Sequence, residues 1–124
     1  MTYDPNNVFA RILRGELPCA RRHETPHALA FDDISPQAPV HVLVIPKGAY
    51  VDFEDFSARA TPEEKAGFWQ AVQETAVACG VAGQGFRLTT NNGASAGQVV
   101  FHFHVHIFGG RTLGRMVRAP ETAG

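Results

Sequence analysis

The chain has 124 residues, of which 44% are hydrophobic and 19% charged, and its formal net charge is −1. This length suits one domain with a two-layer core. The small charge supplies no field that would hold a polyanion, which argues against nucleic acid as a partner. We therefore expect a single domain over 1–124, with an N-terminal arm at 1–6 and a C-terminal tail at 112–124.

The sequence does not indicate a secreted or a membrane protein. Cys19 and Cys79 lie far apart and form no C-x-x-C pair, so we expect neither a disulfide scaffold nor a cysteine zinc site. The N-terminus lacks the positive start and the apolar run of a signal peptide, and no apolar stretch approaches the ~20 residues of a membrane span. A soluble, cytoplasmic protein without membrane contact is the expectation.

The N-terminal segment predicts a short helix. Asp4 has the character of an N-cap, Pro5 occupies the favoured first helical position, and Gly15 follows the expected helix end. Apolar residues recur between them at helical spacing, at Val8, Phe9, Ile12 and Leu13. This helix is expected to cover an apolar surface.

Three strands are predicted next. Residues 20–34 favour two strands joined by a turn at 24–26, with Asp33 at the end of the second strand. Residues 42–45 form a nearly continuous apolar strand between two prolines, and His41 stands at its start.

The second half of the chain predicts the longest helix and a further strand. Thr61 begins a capping box, with Pro at the first helical position, and Gly80 ends the helix. Its expected buried stripe is Phe68, Trp69, Val72, Ala76 and Cys79. Residues 86–90 alternate as a strand and lead into 91–98, a loop rich in Asn, Gly, Ser and Ala.

The last predicted strand is VVFHFHVHIF, residues 99–108. Alternation would place Val99, Phe101, Phe103, Val105 and Ile107 on one face, and Gln98, His102, His104 and His106 on the other. Neighbouring histidines would lie about 7 Å apart at the backbone, and the outer two about 13 Å. The whole chain thus predicts an α+β fold, an antiparallel sheet of about five strands with one long and one short helix.

The face that carries His102, His104 and His106 allows three hypotheses about its role. Two histidines at i and i+2 can bind one zinc, but a third ligand such as His41 must come from elsewhere, because residues 91–108 contain no Asp, Glu or Cys. A histidine on a strand is commonly a hydrogen-bonded structural residue, although burying three imidazoles without a purpose costs desolvation. In the third reading neutral His104 is a nucleophile at phosphorus, His102 and His106 orient it and bind the phosphate, and the preceding loop cradles an anion.

The segment QVVFHFHVH, residues 98–106, resembles the H-φ-H-φ-H signature of the histidine-triad (HIT) superfamily. The stretches VFARILRGELP, FDDISPQAPVHVLVIPK, NNGASAGQ and GGR resemble its Hint branch of nucleotide phosphoramidases, in the same order over roughly residues 7–111. The resemblance implies a HIT-like homodimer that hydrolyses purine nucleoside 5′-phosphoramidates through a nucleotidyl-histidine intermediate. It implies no metal and no other cofactor.

The resemblance also implies roles for four histidines. His104 would be the nucleophile, and His102 would hold it in one tautomer through its main-chain carbonyl. His106 and His41 would bind phosphate and handle the proton of the leaving group.

Other residues would bind the nucleotide. By the same resemblance, Asp33 would accept hydrogen bonds from the ribose hydroxyls, although Asp is also common at the start of a turn. Asn91 would orient the phosphate or ribose side, Gln98 would contact the phosphate or the bridging atom, and Val99 would offer its backbone N–H. The base pocket would be lined by Val8, Phe9, Ile12, Leu17, Phe31 and Ile34.

Two departures from the Hint pattern bear on specificity. Val99 stands where these proteins often have Ser, so a hydroxyl contact is lost. The tail GGRTLGRMVRAPETAG differs from the short aromatic terminus of many relatives, a region that shapes the leaving-group pocket across the dimer. A dinucleoside polyphosphate hydrolase of the same superfamily and a nucleotide-binding interaction protein therefore stay open as alternatives.

Overall fold

The computed structural model describes residues 1–117, which form three helices and a five-stranded antiparallel sheet. The helices are α1 (Val8–Leu13), α2 (Phe53–Arg59) and α3 (Pro62–Ala78). The strands are β1 (Arg21–Glu24), β2 (Ala28–Asp32), β3 (Val40–Pro46), β4 (Phe86–Thr89) and β5 (Val105–Gly109). They lie in the order β1-β2-β3-β5-β4, and every neighbouring pair is antiparallel. The predicted α+β fold with about five antiparallel strands is confirmed.

Each face of the sheet buries its own apolar cluster. On β3, Val42 and Val44 point into the cluster that α2 and α3 cover, while Leu43 and Ile45 point into the cluster that α1 covers. Because both faces are covered here, the strand has a continuous apolar sequence rather than an alternating one. His41 shares a face with Leu43, two residues away, and so lies on the α1 face.

Helix α3 begins as predicted. The Thr61 side chain accepts a hydrogen bond from the backbone N–H of Glu64, and the Glu64 carboxylate accepts one from the backbone N–H of Thr61, which completes the capping box. The buried stripe consists of Phe68, Ala71, Val72, Thr75 and Ala76. Trp69 was expected in this stripe but is 41% exposed, because it lies about 100° around the helix from Phe68.

Helix α1 begins later than predicted. The side chain of Asn7 caps it by accepting a hydrogen bond from the backbone N–H of Ala10 at 2.9 Å. Asp4, the expected N-cap, instead accepts from the backbone N–H of Asn6 and forms the preceding turn. Gly15 ends the helix as expected, at a φ of +77° that favours glycine.

Helix α2 was not among the predicted elements. Asp52 caps it by accepting from the backbone N–H of Asp55 at 2.8 Å, and Phe56 is its buried residue. The acidic first turn and Arg59 in the last turn suit the helix dipole. These local signals could have identified it.

The histidine segment is a strand only in its second half. Strand β5 begins at Val105, and residues 98–104 run outside the sheet. Val99 is 85% exposed, so the predicted apolar face over 99–107 is correct only from Phe103 onward. The first half is instead anchored by the backbone N–H of Phe103, which donates to the carbonyl of Tyr50 at 2.7 Å.

The predicted tail begins after β5. Residues 112–117 form neither helix nor strand, and residues 118–124 lie outside the part of the chain that is described. The division into one domain with an arm and a tail stays a prediction. Over residues 1–117, no helix has the length and apolar character needed to span a bilayer.

Candidate active site

Three of the four histidines predicted to act together, His41, His104 and His106, converge on the α1 face of the sheet. Strand pairing sets His106 opposite Leu43, two residues from His41 on the neighbouring strand. The ring centroids of His104 and His106 are 5.1 Å apart, and those of His41 and His106 are 5.2 Å apart. Two segments separated in sequence, β3 and the chain at the start of β5, therefore build one imidazole cluster.

His104 has the features of a nucleophile. Its Nδ1 lies 2.7 Å from the main-chain carbonyl oxygen of His102, which can only accept, so Nδ1 carries the proton. The lone pair is therefore on Nε2. Burial lowers the pKa of His104, and the hydrogen bond to His102 and the charge of Asp33 offset this only in part. The imidazole is neutral at neutral pH.

A second chain of hydrogen bonds fixes the other two rings. The backbone N–H of Gln37 donates to Nδ1 of His41 at 3.1 Å, so His41 carries its proton on Nε2. That proton is donated to Nδ1 of His106, 2.9 Å away. His106 consequently carries its own proton on Nε2 and can donate it to an oxygen or nitrogen of a ligand.

Burial keeps these two rings neutral as well. The pKa of His106 falls to about 4, first through burial and then through repulsion by His104 and His41. Burial also lowers the pKa of His41, against the attraction of Asp33, whose Oδ2 is 3.5 Å from His41 Nε2. At neutral pH His41 and His106 are therefore neutral, as His104 is.

His102 is locked away from this cluster. Its ring is fully buried, donates from Nε2 to the carbonyl of Pro46 at 2.8 Å, and accepts at Nδ1 from the hydroxyl of Tyr3 at 2.7 Å. Burial lowers its pKa to about 4. Both ring nitrogens are thus engaged away from the cluster, and His102 contacts it through its carbonyl, held against His104 as the resemblance implies.

Gln98 is an anchor of the loop before β5. Its amide donates to the carbonyls of Val51 and Val100, and its oxygen accepts from the backbone N–H of Gly93. Both amide protons are used in these contacts. The predicted contact of Gln98 with the phosphate or the bridging atom stays a prediction, and it would require the amide to exchange one of these partners.

The predicted nucleotide-binding residues divide into two groups. Asp33 lines a cavity of about 280 Å³ together with His41, and Asn91 lines a neighbouring one of about 360 Å³. The side chains of Ile34 and Val99 are 98% and 85% exposed, and the role of Ile34 in base binding stays a prediction. Asp33 also accepts from the backbone N–H of Ser35, so its turn-forming role is present too.

Of the other predicted base-pocket residues, Phe9, Ile12, Leu17 and Phe31 belong to the apolar cluster beneath α1 or pack against it, whereas Val8 is 48% exposed. Phe9, Ile12 and Phe31 are each less than 8% exposed. The ring of Phe9 meets that of His104 edge to face, with centroids 5.0 Å apart. This contact joins the apolar cluster beneath α1 to His104. The role of Phe9, Ile12 and Phe31 in base binding stays a prediction.

The hydrogen-bond pattern opposes the metal reading. Donor atoms of Asp33, His41 and His106 lie within 4.8 Å of one another, as a metal site would require. A metal bound at Nε2 of His41 would force the proton onto Nδ1, where the backbone N–H of Gln37 already donates. Two donors would then face each other.

Sequence reasoning missed two residues of the site. Gln37 sets the tautomer of His41, and Tyr3 holds the ring of His102. Tyr3 is 99 positions away from His102 along the chain, so no local pattern could reveal the contact.

Comparison with known proteins identifies the family. The sequence-family model of the HIT domain matches residues 14–113 of the chain. The chain is 63% identical over 116 residues to an uncharacterized 13.2 kDa HIT-like protein of Azospirillum brasilense, covering 94% of this chain and 95% of that protein. It is 39% identical over 111 residues to the purine nucleoside phosphoramidase of Escherichia coli K12, covering 89% of this chain and 92% of that protein.

Superposition on solved structures gives the same family. A HIT family hydrolase from Clostridium thermocellum superposes with a TM-score of 0.82 at 37% identity, covering 91% of this chain and 97% of that one. A histidine triad protein from Clostridium difficile gives a TM-score of 0.80 at 31% identity, covering 94% and 100%. The chain belongs to the HIT family, as its histidine segment and flanking motifs predicted.

Proposed function

We propose that this protein hydrolyses purine nucleoside 5′-phosphoramidates and releases a nucleoside monophosphate and an amine. The observation that carries the proposal is the state of His104: neutral, with its proton held by the His102 carbonyl and its Nε2 lone pair available. Similarity to the E. coli purine nucleoside phosphoramidase supports the substrate class.

The proposed reaction has two steps. Nε2 of His104 attacks the α-phosphorus, an Nε2–P bond forms, and the P–N bond to the amine breaks. A bound phosphate anion raises the pKa of His106 from about 4, so the His41–His106 pair takes up one proton from solvent when the substrate binds and delivers it to the leaving nitrogen. Water then attacks the nucleotidyl group, returns a proton to the pair and frees His104.

The nucleotide is proposed to lie across the face of the sheet between α1 and the histidines. Asp33 accepts from the ribose hydroxyls, Asn91 orients the phosphate side, and Phe9 packs on the base. These roles are supported by the position of Asp33 beside His41 and by the contact of Phe9 with His104.

A substitution of the nucleophile tests the proposal. His104→Ala is expected to lower the rate of hydrolysis of an AMP–amine conjugate by at least ~10³-fold, as loss of a nucleophile does elsewhere. The matched control is His23→Ala, because His23 lies on β1 and contacts Glu74, away from the cluster. Wild-type turnover by His104→Ala would refute the mechanism, and faster hydrolysis of diadenosine polyphosphates than of the conjugate would favour the alternative activity.

A homodimer is part of the proposal. Strand β4 lies at the edge of the sheet, and its residues Phe86 and Leu88 are 38% and 43% exposed. An edge strand with exposed apolar side chains favours pairing with a second copy.

A further inference from the structure

Three arginines line the cavity of about 360 Å³ that adjoins the histidine cluster. They are Arg87, Arg111 and Arg115, and no Asp or Glu lines the cavity over residues 1–117. Asn91 also lines the cavity, as do Gln37 and Phe108, which both contact His41. The cavity thus concentrates three positive charges in a chain with a net charge of −1.

Strand pairing puts this cavity beside the reacting groups. Phe108 is paired with His41 on one side and with Arg87 on the other, so the three side chains emerge from the same face of the sheet. The ring of Phe108 lies parallel to that of His106, with centroids 5.6 Å apart. Arg87, on β4, therefore lies one strand away from His106 on β5 and two strands away from His41 on β3.

Arg111 is joined to the site by the backbone. Nη2 of Arg111 donates to the backbone carbonyl of Gln37 at 3.0 Å. The backbone N–H of Gln37 in turn donates to Nδ1 of His41. Nη1 of Arg111 donates to the carbonyl of Thr112. Carbonyl acceptors satisfy donors but do not neutralise the charge, so the guanidinium stays an attractor for an anion.

The three arginines differ from most other cations of the chain. Six cations elsewhere in residues 1–117 form ion pairs with carboxylates, namely Arg11, Arg14, Arg21, Arg22, Lys47 and Arg59. Within the same range, no carboxylate lies within ion-pair distance of Arg87, Arg111 or Arg115. These three positive charges therefore have no carboxylate partner within residues 1–117 and line one cavity next to the histidine cluster.

We propose that this cavity binds the leaving group and selects one that carries an anionic group of its own, a carboxylate or a phosphate. The inference rests on the proposed function, because it assigns the α-phosphate to the histidines and the rest of the substrate to the arginines. Guanidinium groups bind both anions through paired N–H donors. An amino acid joined to AMP through its nitrogen supplies a carboxylate, and a dinucleoside polyphosphate supplies a phosphate chain.

Two conjugates that differ only in charge test the inference. One is AMP joined through nitrogen to aspartate, and the other carries both carboxylates as amides. On the wild-type protein, kcat/KM for the acid is expected to exceed that for the amide by about tenfold, the effect of one charge-assisted hydrogen bond. Arg87→Gln and Arg115→Gln are each expected to reduce this preference several-fold, and added salt to weaken it.

Lys65→Gln is the matched control. It removes one positive charge from α3, which covers the opposite face of the sheet, and is expected to leave the preference unchanged. Arg115 is exposed on an irregular segment, so its substitution does not endanger folding. Diadenosine tetraphosphate is measured on the same variants: selective loss with this substrate identifies the anion as phosphate, and selective loss with the aspartate conjugate identifies it as carboxylate.

Binding to the His104→Ala protein separates this inference from the proposed function. Dissociation constants of the acid and the amide, measured there without turnover, decide the anion preference even if no conjugate is hydrolysed. Equal constants for acid, amide and dinucleotide, unchanged by Arg87→Gln and Arg115→Gln, overturn the anion subsite. Failure of the wild-type protein to cleave any phosphoramidate overturns the proposed function instead.

Discussion

Replacing Tyr3 with Phe removes a single hydroxyl and tests how the N-terminal arm supports the histidine cluster. The Tyr3 hydroxyl donates to Nδ1 of His102 at 2.7 Å, and the other nitrogen of that ring donates to the carbonyl of Pro46. Phe keeps the edge-to-face packing on the His102 ring, whose centroid is 5.6 Å away. The substitution therefore isolates the hydrogen bond from the packing.

The expected effect follows from the burial of His102. Its ring has no exposed surface, so Nδ1 loses its partner without access to solvent. A buried acceptor left unsatisfied costs about 1–3 kcal/mol. Because the carbonyl of His102 holds the proton of His104, a looser His102 is also expected to lower kcat several-fold with little change in KM.

Urea unfolding measures the first effect, and steady-state kinetics the second. The midpoint is expected to fall at constant slope, which marks a change in stability alone. Tyr3→Ala, which also removes the ring, is expected to be less stable than Tyr3→Phe. If Tyr3→Phe unfolds within ~0.3 kcal/mol of wild type, below the net worth of an ordinary hydrogen bond, and keeps its kcat, then the arm does not support the cluster.

Three further predictions concern acid stability, packing and assembly. His102 and His106 each have a pKa of about 4 in the folded state against an ordinary 6.5, so the unfolded state binds more protons between these values; stability is complete above pH 6.5 and falls toward pH 4, by up to about 1.4 kcal/mol per pH unit for each of the two rings. Urea unfolding across pH 7 to 4 checks this, and a flat profile contradicts it. Gly67→Ala places a Cβ against the ring of His27 and is expected to cost about 1–3 kcal/mol in thermal or urea unfolding, whereas Gly83→Ala, with open space around it, stays within ~0.5 kcal/mol. Leu88→Lys, on the exposed edge strand, is expected to shift a dimer toward monomer in sedimentation, and a wild-type protein that is already monomeric contradicts the dimer.

Local sequence signals predicted the elements that depend on local interactions. The capping box at Thr61 and the Gly15 helix end involve neighbours a few residues apart, and both are present in the structure. The hairpin of β1 and β2 and the apolar strand β3 were likewise predictable from turn residues and continuous hydrophobicity. The prediction that Trp69 is buried was wrong because it followed from the size and hydrophobicity of the side chain, whereas the angle of Trp69 around the helix turns it away from the sheet.

The sequence predicted that histidines would lie close together, but it did not predict how each ring is oriented. Periodicity put three histidines on one face, yet β5 begins only at Val105, and His102 turns toward Pro46 and Tyr3. The side-chain amide of Gln98 likewise donates to the backbone carbonyl of Val51, 47 positions away along the chain. Such orientations depend on partners up to 99 residues away, which a single sequence does not reveal.

Intact-mass spectrometry of the protein during turnover tests the central claim most directly. Soon after mixing with an AMP–amine conjugate, a transient species heavier by one nucleotidyl group is expected, with the added mass on His104 and absent from His104→Ala. Steady hydrolysis of the conjugate without any adduct, or an adduct on another residue, would contradict nucleophilic attack by His104.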